Sequence, residues 1–213
     1  MTLSLNEVET TAKKAARGAG HSWGLAEEAG RATRWLCAHG FDGCAALAAL
    51  LSKDGVGHRD WAPYALSNDW FAVSGTLCSL RAGVALSDSA VMLKQGDLRL
   101  RSVALPMLLI PFAANAARHL GTSINLAWPG ASITTDGTNV GVQENKTALS
   151  ADCADVVRLS LGGKILAPNA RKTRVSPQGS DWQSLTEFAS LTYAPATEES
   201  RRLGAGGDLS DND

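Results

Sequence analysis

The hydrophobic period of this chain changes near Asp54-Gly55, and that change narrows the folds open to it. Before it, apolar residues recur at helical spacing three times over. Ser4 with Glu7 makes a capping box, followed by Leu5, Val8, Ala12 and Ala15 on one face, and Gly18 stops the run. Glu9 can pair with Lys13 at i,i+4, and Lys13, Lys14 and Arg17 complement the carboxy-terminal end of the helix. A second helix is expected from about Gly24 to His39, with Leu25, Ala29, Ala32 and Leu36 inward and Gly40 as its stop. A third, from Asp42 to Lys53, carries the unbroken apolar run Cys44–Leu51 and must be buried nearly all round. Residues 1–55 therefore read as a compact three-helix unit.

Beyond it the pattern turns strand-like. Trp70–Leu80 and Asp97–Leu105 read as strands, the second alternating Leu98 and Leu100 with Arg99 and Arg101. Val103–Ala114 is the longest apolar run, but Pro106 and Pro111 inside it predict a strand-to-helix junction, with the helix ending near Leu120-Gly121. Ser123–Trp128, Ala131–Thr135 and Asn139–Gln143 follow, the last two flanking the hairpin signal Asp136-Gly137. Val156–Leu161 and Lys172–Ser176 are further strands. Ser180 with Gln183 caps a helix whose inner face carries Trp182, Leu185, Phe188 and Ala189, and a short helix is expected from Thr197 to Leu203. The fold class expected is α+β: an amino-terminal three-helix unit, then a mostly antiparallel or mixed sheet with carboxy-terminal helices. The divisions are 1–55 for the helical unit, 56–195 for the α+β core, and 196–213 for a short helix and a tail rich in glycine and aspartate.

Charge excludes some partners. Twenty Lys and Arg against twenty-one Asp and Glu give a net charge of -1, with no basic stripe to neutralise phosphates, so nucleic acid is not expected. No apolar run reaches the roughly 18–20 residues of a membrane span, so no membrane is expected either. Cys37, Cys44, Cys78 and Cys153 lie in apolar surroundings with no C-x-x-C pair and read as reduced, buried residues. Cys37 and Cys44 could meet across a turn. The start MTLSLNEVE has neither a basic nor an apolar region of a secretory leader, and the expected compartment is the cytoplasm.

Few residues are arranged for chemistry. Gly20-His21-Ser22-Trp23-Gly24 matches G-x-S-x-G, but a nucleophile elbow needs a preceding strand and here a helix precedes. Ser22 therefore reads as a helix cap. His21, Trp23, Glu27, Glu28 and Arg31 crowd one loop and the first turns of the second helix, where a helix start favours anions. Trp23 would be a wall and His21 with Glu27 or Glu28 the proton-transfer groups, against the plainer reading of surface ion pairs. His39 before Gly40 reads as a helix cap, and His119 in the same way. His58 lies in a loop whose Gly55-x-Gly57 does not extend to a dinucleotide fingerprint, and Gly162-Gly163-Lys164 lacks the rest of a P-loop. No metal spacing occurs among the histidines, and no cofactor is specified. At the other end, Arg201, Arg202, Gly204, Gly206, Gly207 and Asp208 combine guanidinium forks, backbone freedom and carboxylates, as a ligand loop would.

Three stretches, SLNEVETTAKKAARGAG, WGLAEEAGRATRWL and the terminal YAPATEESRRLGAGGDLSDND, together resemble the DUF3726 family of uncharacterised bacterial proteins. The likeness covers nearly the whole chain, and its signatures are Trp23–Glu28 and the terminal Tyr-x-Pro, Ser-Arg, Gly-Ala-Gly and Asp-Asn-Asp. It implies no reaction and marks Trp23, Glu27, Glu28, Tyr193, Arg201, Gly204, Gly206 and Asp208 as residues to test. Asp136-Gly137-x-Asn139-x-Gly141-x-Gln143 and the first helices are also similar to pieces of the type-2 malate/lactate dehydrogenases, whose catalytic Ser-His-Gly stretch is absent here. That second likeness implies a relation of fold and no activity.

Two functions are carried forward. One is an enzyme or enzyme subunit acting on a small polar anionic metabolite. In it His21, Glu27 or Glu28 is acid/base, Trp23, Arg31, Tyr193 and Arg201 hold the ligand, and Gly204–Gly207 is a lid. The other is a non-catalytic accessory protein docking on a partner subunit or on a second copy of itself.

Overall fold

The structure, a computed structural model, describes residues 1–53, 62–66, 68–143 and 146–193. The three amino-terminal helices form as their sequence dictates. After the short strand β1 (Leu3–Ser4), α1 spans Leu5–Gly18, with the Ser4–Glu7 capping box closed in both directions. Helix α2 spans Trp23–Ala38, with Ser22 as its cap, and α3 spans Gly43–Lys53 with a nearly all-round buried surface.

The β-rich portion is an α+β arrangement around one mixed sheet. Its strands are β2 (Tyr64–Leu66), β3 (Asp69–Phe71), β4 (Leu77–Cys78), β5 (Leu98–Ala104), β6 (Ile124–Trp128), β7 (Ala131–Thr135), β8 (Val140–Gln143) and β9 (Cys153–Leu161). The order is β2-β3-β5-β9-β6-β7-β8, with β4 continuing the edge of β5 beyond β3. β3 and β4 run parallel to β5, and the other pairings are antiparallel. The hairpin at Asp136-Gly137 joins β7 to β8, in register from Thr135 opposite Val140. Alternation sets the sheet's two faces: Leu98, Leu100, Val157 and Leu159 are buried, while Arg99, Arg101, Asp155 and Arg158 face out.

On the buried face lie α4 (Ser79–Asp88) and α5 (Ile110–Leu120), with α2 against both. The apolar run Val103–Ala114 makes the junction its prolines require: β5 ends, Leu105 turns with φ of 47°, a 3-10 turn spans Pro106–Leu109, and α5 begins. After α6 (Lys146–Leu149) and β9, β10 (Arg174–Val175) pairs with β1 in a separate two-stranded ribbon. Helix α7 (Gly179–Ser190) then packs on α1 and α3. The helical layer is thus built from both ends of the chain.

Several expectations are corrected. Trp70–Leu80 is not one strand; it holds β3, β4 and the start of α4, a helix that the sequence reading lacks. Lys172–Ser176 contributes only the two residues of β10, and Ser180 does not cap α7, whose N-cap is Gln178 without a side-chain bond. The expected helix Thr197–Leu203 lies outside the described residues.

Candidate functional site

The outer seam between α1 and α2 is where the expected site residues gather. The two helices are joined by the short loop 19–22, so charges on one meet charges on the other. Lys13 Nζ donates to Glu27 Oε1 at 2.7 Å, and Arg34 Nη1 donates to Glu9 Oε2 at 2.6 Å. Glu28 is taken by Arg31 at 2.7 Å within α2. Trp23 opens α2 and is 62% exposed, yet Arg17 and Lys13 lie 5.1 and 5.9 Å from its ring. Tyr193, just as exposed, reaches α1 from the far end of the chain. Lys14 Nζ donates to its hydroxyl at 3.1 Å and stands 5.1 Å from its ring centre. Adjacent lysines of α1 therefore hold Trp23 and Tyr193, residues 170 positions apart. Arg201, Gly204, Gly206 and Asp208 lie outside the described residues, as does His58.

Ion pairing sets the electrostatics of Glu27. The hydrogen bond and charge of Lys13 hold the Glu27 carboxyl below its ordinary range, so it stays ionised and is a poor proton donor near neutral pH. His21 is buried in the loop, where Arg17 Nη1 donates to its carbonyl at 2.8 Å.

The larger concavity lies further along α2. A cleft of about 490 Å³ is lined by Leu5 and Glu9 of α1, by Arg31, Arg34, Trp35, Ala38 and His39, and by Arg171, Lys172 and Thr173. His39 stacks on Trp35, ring centres 3.8 Å apart, with Nδ1 2.8 Å from the Trp35 carbonyl. The 169–172 segment is pinned over the end of α2 by Asn169 Nδ2 donating to the His39 carbonyl (2.9 Å) and by the Lys172 amide donating to the Ala38 carbonyl (2.7 Å). Arg171 Nε donates to His39 Nε2 at 3.4 Å, which leaves the outer guanidinium nitrogens turned away from that bond. Among the described residues, neither Arg171 nor Lys172 has a carboxylate partner. The lining thus carries four cations, of which Arg34 is paired with Glu9 and Arg31 with Glu28, while Arg171 and Lys172 are not paired with a carboxylate among the described residues.

Of the expected ligand residues, the structure brings Arg31 to this cleft and leaves Trp23, Glu27 and Tyr193 along the adjoining seam. Arg34, Trp35, His39, Arg171 and Lys172 were missed. Two signals point to them: the i,i+4 spacing of Trp35 and His39, and the basic run Arg171-Lys172-x-Arg174, which runs into the expected strand Lys172–Ser176. Among the described residues, no group of three or more His, Cys, Asp or Glu side chains could hold a metal ion, and no helix is long and apolar enough to cross a membrane.

Fold and site together define a small α+β protein with a basic cleft on its helical face. Residues 3–91 match the model of a family described as "Protein of unknown function (DUF3726)". The match contains the whole α1–α2 seam, while Arg171, Lys172 and Tyr193 lie beyond it. No curated protein matches the chain.

Proposed function

We propose that this protein binds a small polar anionic metabolite in the cleft between α2 and the 171–173 segment, as an enzyme or enzyme subunit acting on it. The observation that supports the reading is Arg171 beside Lys172, two cations without carboxylate partners, facing Arg31 and Arg34 across a cleft walled by an aromatic stack. A metabolite-sized anion suits a cleft with these cations in its lining better than a flat hydrophobic ligand does. The proton-transfer roles of His21, Glu27 and Glu28 have weaker support, since the carboxylates are held in ion pairs and the histidine is buried. The tail residues Arg201, Gly204, Gly206 and Asp208 stay in the proposal because Tyr193 brings the chain back to α1, the helix that lends Leu5 and Glu9 to the cleft. The cytoplasm, where thiols stay reduced, belongs to the same reading.

Titration calorimetry of the full chain with inorganic pyrophosphate and with citrate tests it. Binding by one of them is expected to weaken as salt rises and to fall about a hundredfold or more in Arg171→Ala/Lys172→Ala, because each of the two lost charged contacts removes roughly 1.5–3 kcal/mol. Equal binding by the double variant would remove the cleft as the site. Arg201→Lys compared with Arg202→Lys, at matched ionic strength, reports whether the tail contributes a guanidinium fork.

A second reading has its own observation. Trp23 and Tyr193 are large, exposed aromatics held by the adjacent lysines Lys13 and Lys14 of α1, as a docking surface for a partner subunit or a second copy would present. Sedimentation of the purified chain, with Trp23→Ala alongside, tests the homo-oligomer. Loss of self-association in the variant with anion binding intact would assign the face to docking.

A further inference from the structure

The last turn of α2 and the first turn of α3 place two thiols together. Cys37 Sγ and Cys44 Sγ stand 3.9 Å apart, and both side chains are buried, at 3% and 1% exposure. Both also line a cavity of about 210 Å³, whose wall includes Asp42, Lys172 and Ser176. Most buried cysteines have only packing atoms around them and are chemically inert. Here both cysteines line a cavity, a route for a small oxidant that a cysteine surrounded only by packing atoms lacks. A metal is not the natural occupant, because no third ligand of the usual types completes a set among the described residues.

We propose that Cys37 and Cys44 form a reversible intramolecular disulfide when the folded protein meets a hydroperoxide. The distance has to close from 3.9 Å to the roughly 2.05 Å of a disulfide, and only six residues, with the loop 39–42 among them, lie between the two cysteines. Cys37 is the attacking sulfur. The hydrogen bond from Cys44 and the amides of Gly43 and Cys44 at the start of α3 favour its thiolate, while Cys44 is pushed up and stays a thiol. In the first step the Cys37 thiolate takes one oxygen from hydrogen peroxide. The O–O bond breaks, hydroxide leaves and is protonated to water, and the sulfur is oxidised by two electrons to a sulfenic acid. In the second, the Cys44 sulfur attacks Cys37, the S–O bond breaks, and the departing hydroxide takes the Cys44 proton as water. Two thiols and one peroxide yield one disulfide and two waters. The switch would tie α2 to α3 beside Lys172, which lines both this cavity and the basic cleft.

Peroxide treatment of the reduced full chain, followed by thiol blocking and peptide mapping, decides this. The expected product is lighter by about 2 Da, the two hydrogens lost with one disulfide, joins the peptides of Cys37 and Cys44, and reverts with dithiothreitol. Cys153→Ser, which removes the exposed thiol, should behave identically. In Cys44→Ser the reaction should stop at a Cys37 sulfenic acid that dimedone traps. Cys78, buried at 0% exposure, serves as the clock for unfolding. Oxidation of Cys78 as fast as the pair would mean that the thiols react only in unfolded chains, and would overturn the proposal. So would absence of the 37–44 link, or separate over-oxidation of the two sulfurs. Should Cys44→Ser fail to fold, mapping of the wild-type chain and of Cys153→Ser decides alone.

Discussion

Phe112 is fully buried in α5, and its ring lies where the missing side chain of Gly83 would be. A Cβ at residue 83 would stand 2.1 Å from Phe112 Cδ2 and 2.5 Å from Cγ. Glycine inside a helix normally costs about 1 kcal/mol against alanine, so Gly83→Ala would stabilise α4 if the space were open. It is closed, and overpacking a buried ring costs roughly 1–3 kcal/mol. The expected net effect is a loss of about 1–2 kcal/mol by denaturant titration, the overpacking term exceeding the propensity gain. Adding Phe112→Leu should recover part of it, since touching residues are not additive. A gain in stability from Gly83→Ala alone would show that α4 and α5 are further apart. Residues with local partners were the legible ones. Ser4, Glu7 and Ser22 act within one turn, and their spacing alone reveals it. Arg171 and Lys172 acquire meaning only from the end of α2, more than 130 positions away, and no local pattern carries that.

Helix α7 shows the same limit for whole elements. Its apolar face of Trp182, Leu185, Phe188 and Ala189 was readable, but its destination was not. The contact is made by backbone: a Cβ on Gly18, the last residue of α1, would lie 1.8 Å from the Phe188 carbonyl oxygen. Gly18→Ala must therefore move α7, since a carbonyl inside a helix cannot rotate aside. The expected result is faster amide hydrogen exchange across Gly179–Ser190 while β5, β6 and β9 keep their protection, with a stability loss of about 1–3 kcal/mol. Uniform loss of protection would mean that α7 and the sheet open as one unit. The hairpin β7–β8 and the junction into α5 were legible because Asp136-Gly137 and the two prolines act on their own backbone. Helix α4 escaped for the opposite reason. Gly83 weakens its helical signal, and the glycine is there to meet a ring from another helix.

At the scale of the molecule, carboxylates govern the response to acid. Four of them are held below their ordinary values among the described residues. Glu7 is held by backbone and side-chain hydrogen bonds from Ser4, Glu27 by Lys13, and Asp69 by the Arg101 guanidinium. Burial pushes Asp136 up, but the Asn139 and Thr138 amides that close the hairpin, at 2.6 and 2.8 Å, pull it further down. A depressed carboxyl stabilises the fold above its unfolded value, 4.5 for Glu and 3.8 for Asp here, and that stability goes as pH falls through the folded value. Asp181 runs the other way. Burial and the Asp42 charge raise it, so its contribution is present at low pH and lost as pH rises through its folded value. With four groups against one, stability should hold level near pH 6 and fall below about pH 4.5. Salt separates the causes. The Lys13–Glu27 and Arg101–Asp69 pairs are exposed and should be largely screened near 1 M salt, where the Debye length is about 3 Å. The Glu7 cap and the Asp136 turn are short hydrogen bonds to backbone and should persist. Melting temperature followed from pH 6 to pH 3 is thus expected to drop less steeply in high salt, but still to drop. Glu27→Gln/Asp69→Asn should lose the salt-sensitive part and keep the remainder. A fall that vanishes completely in salt would place the whole acid response in the surface ion pairs, and would leave the cap and the turn without a share in it.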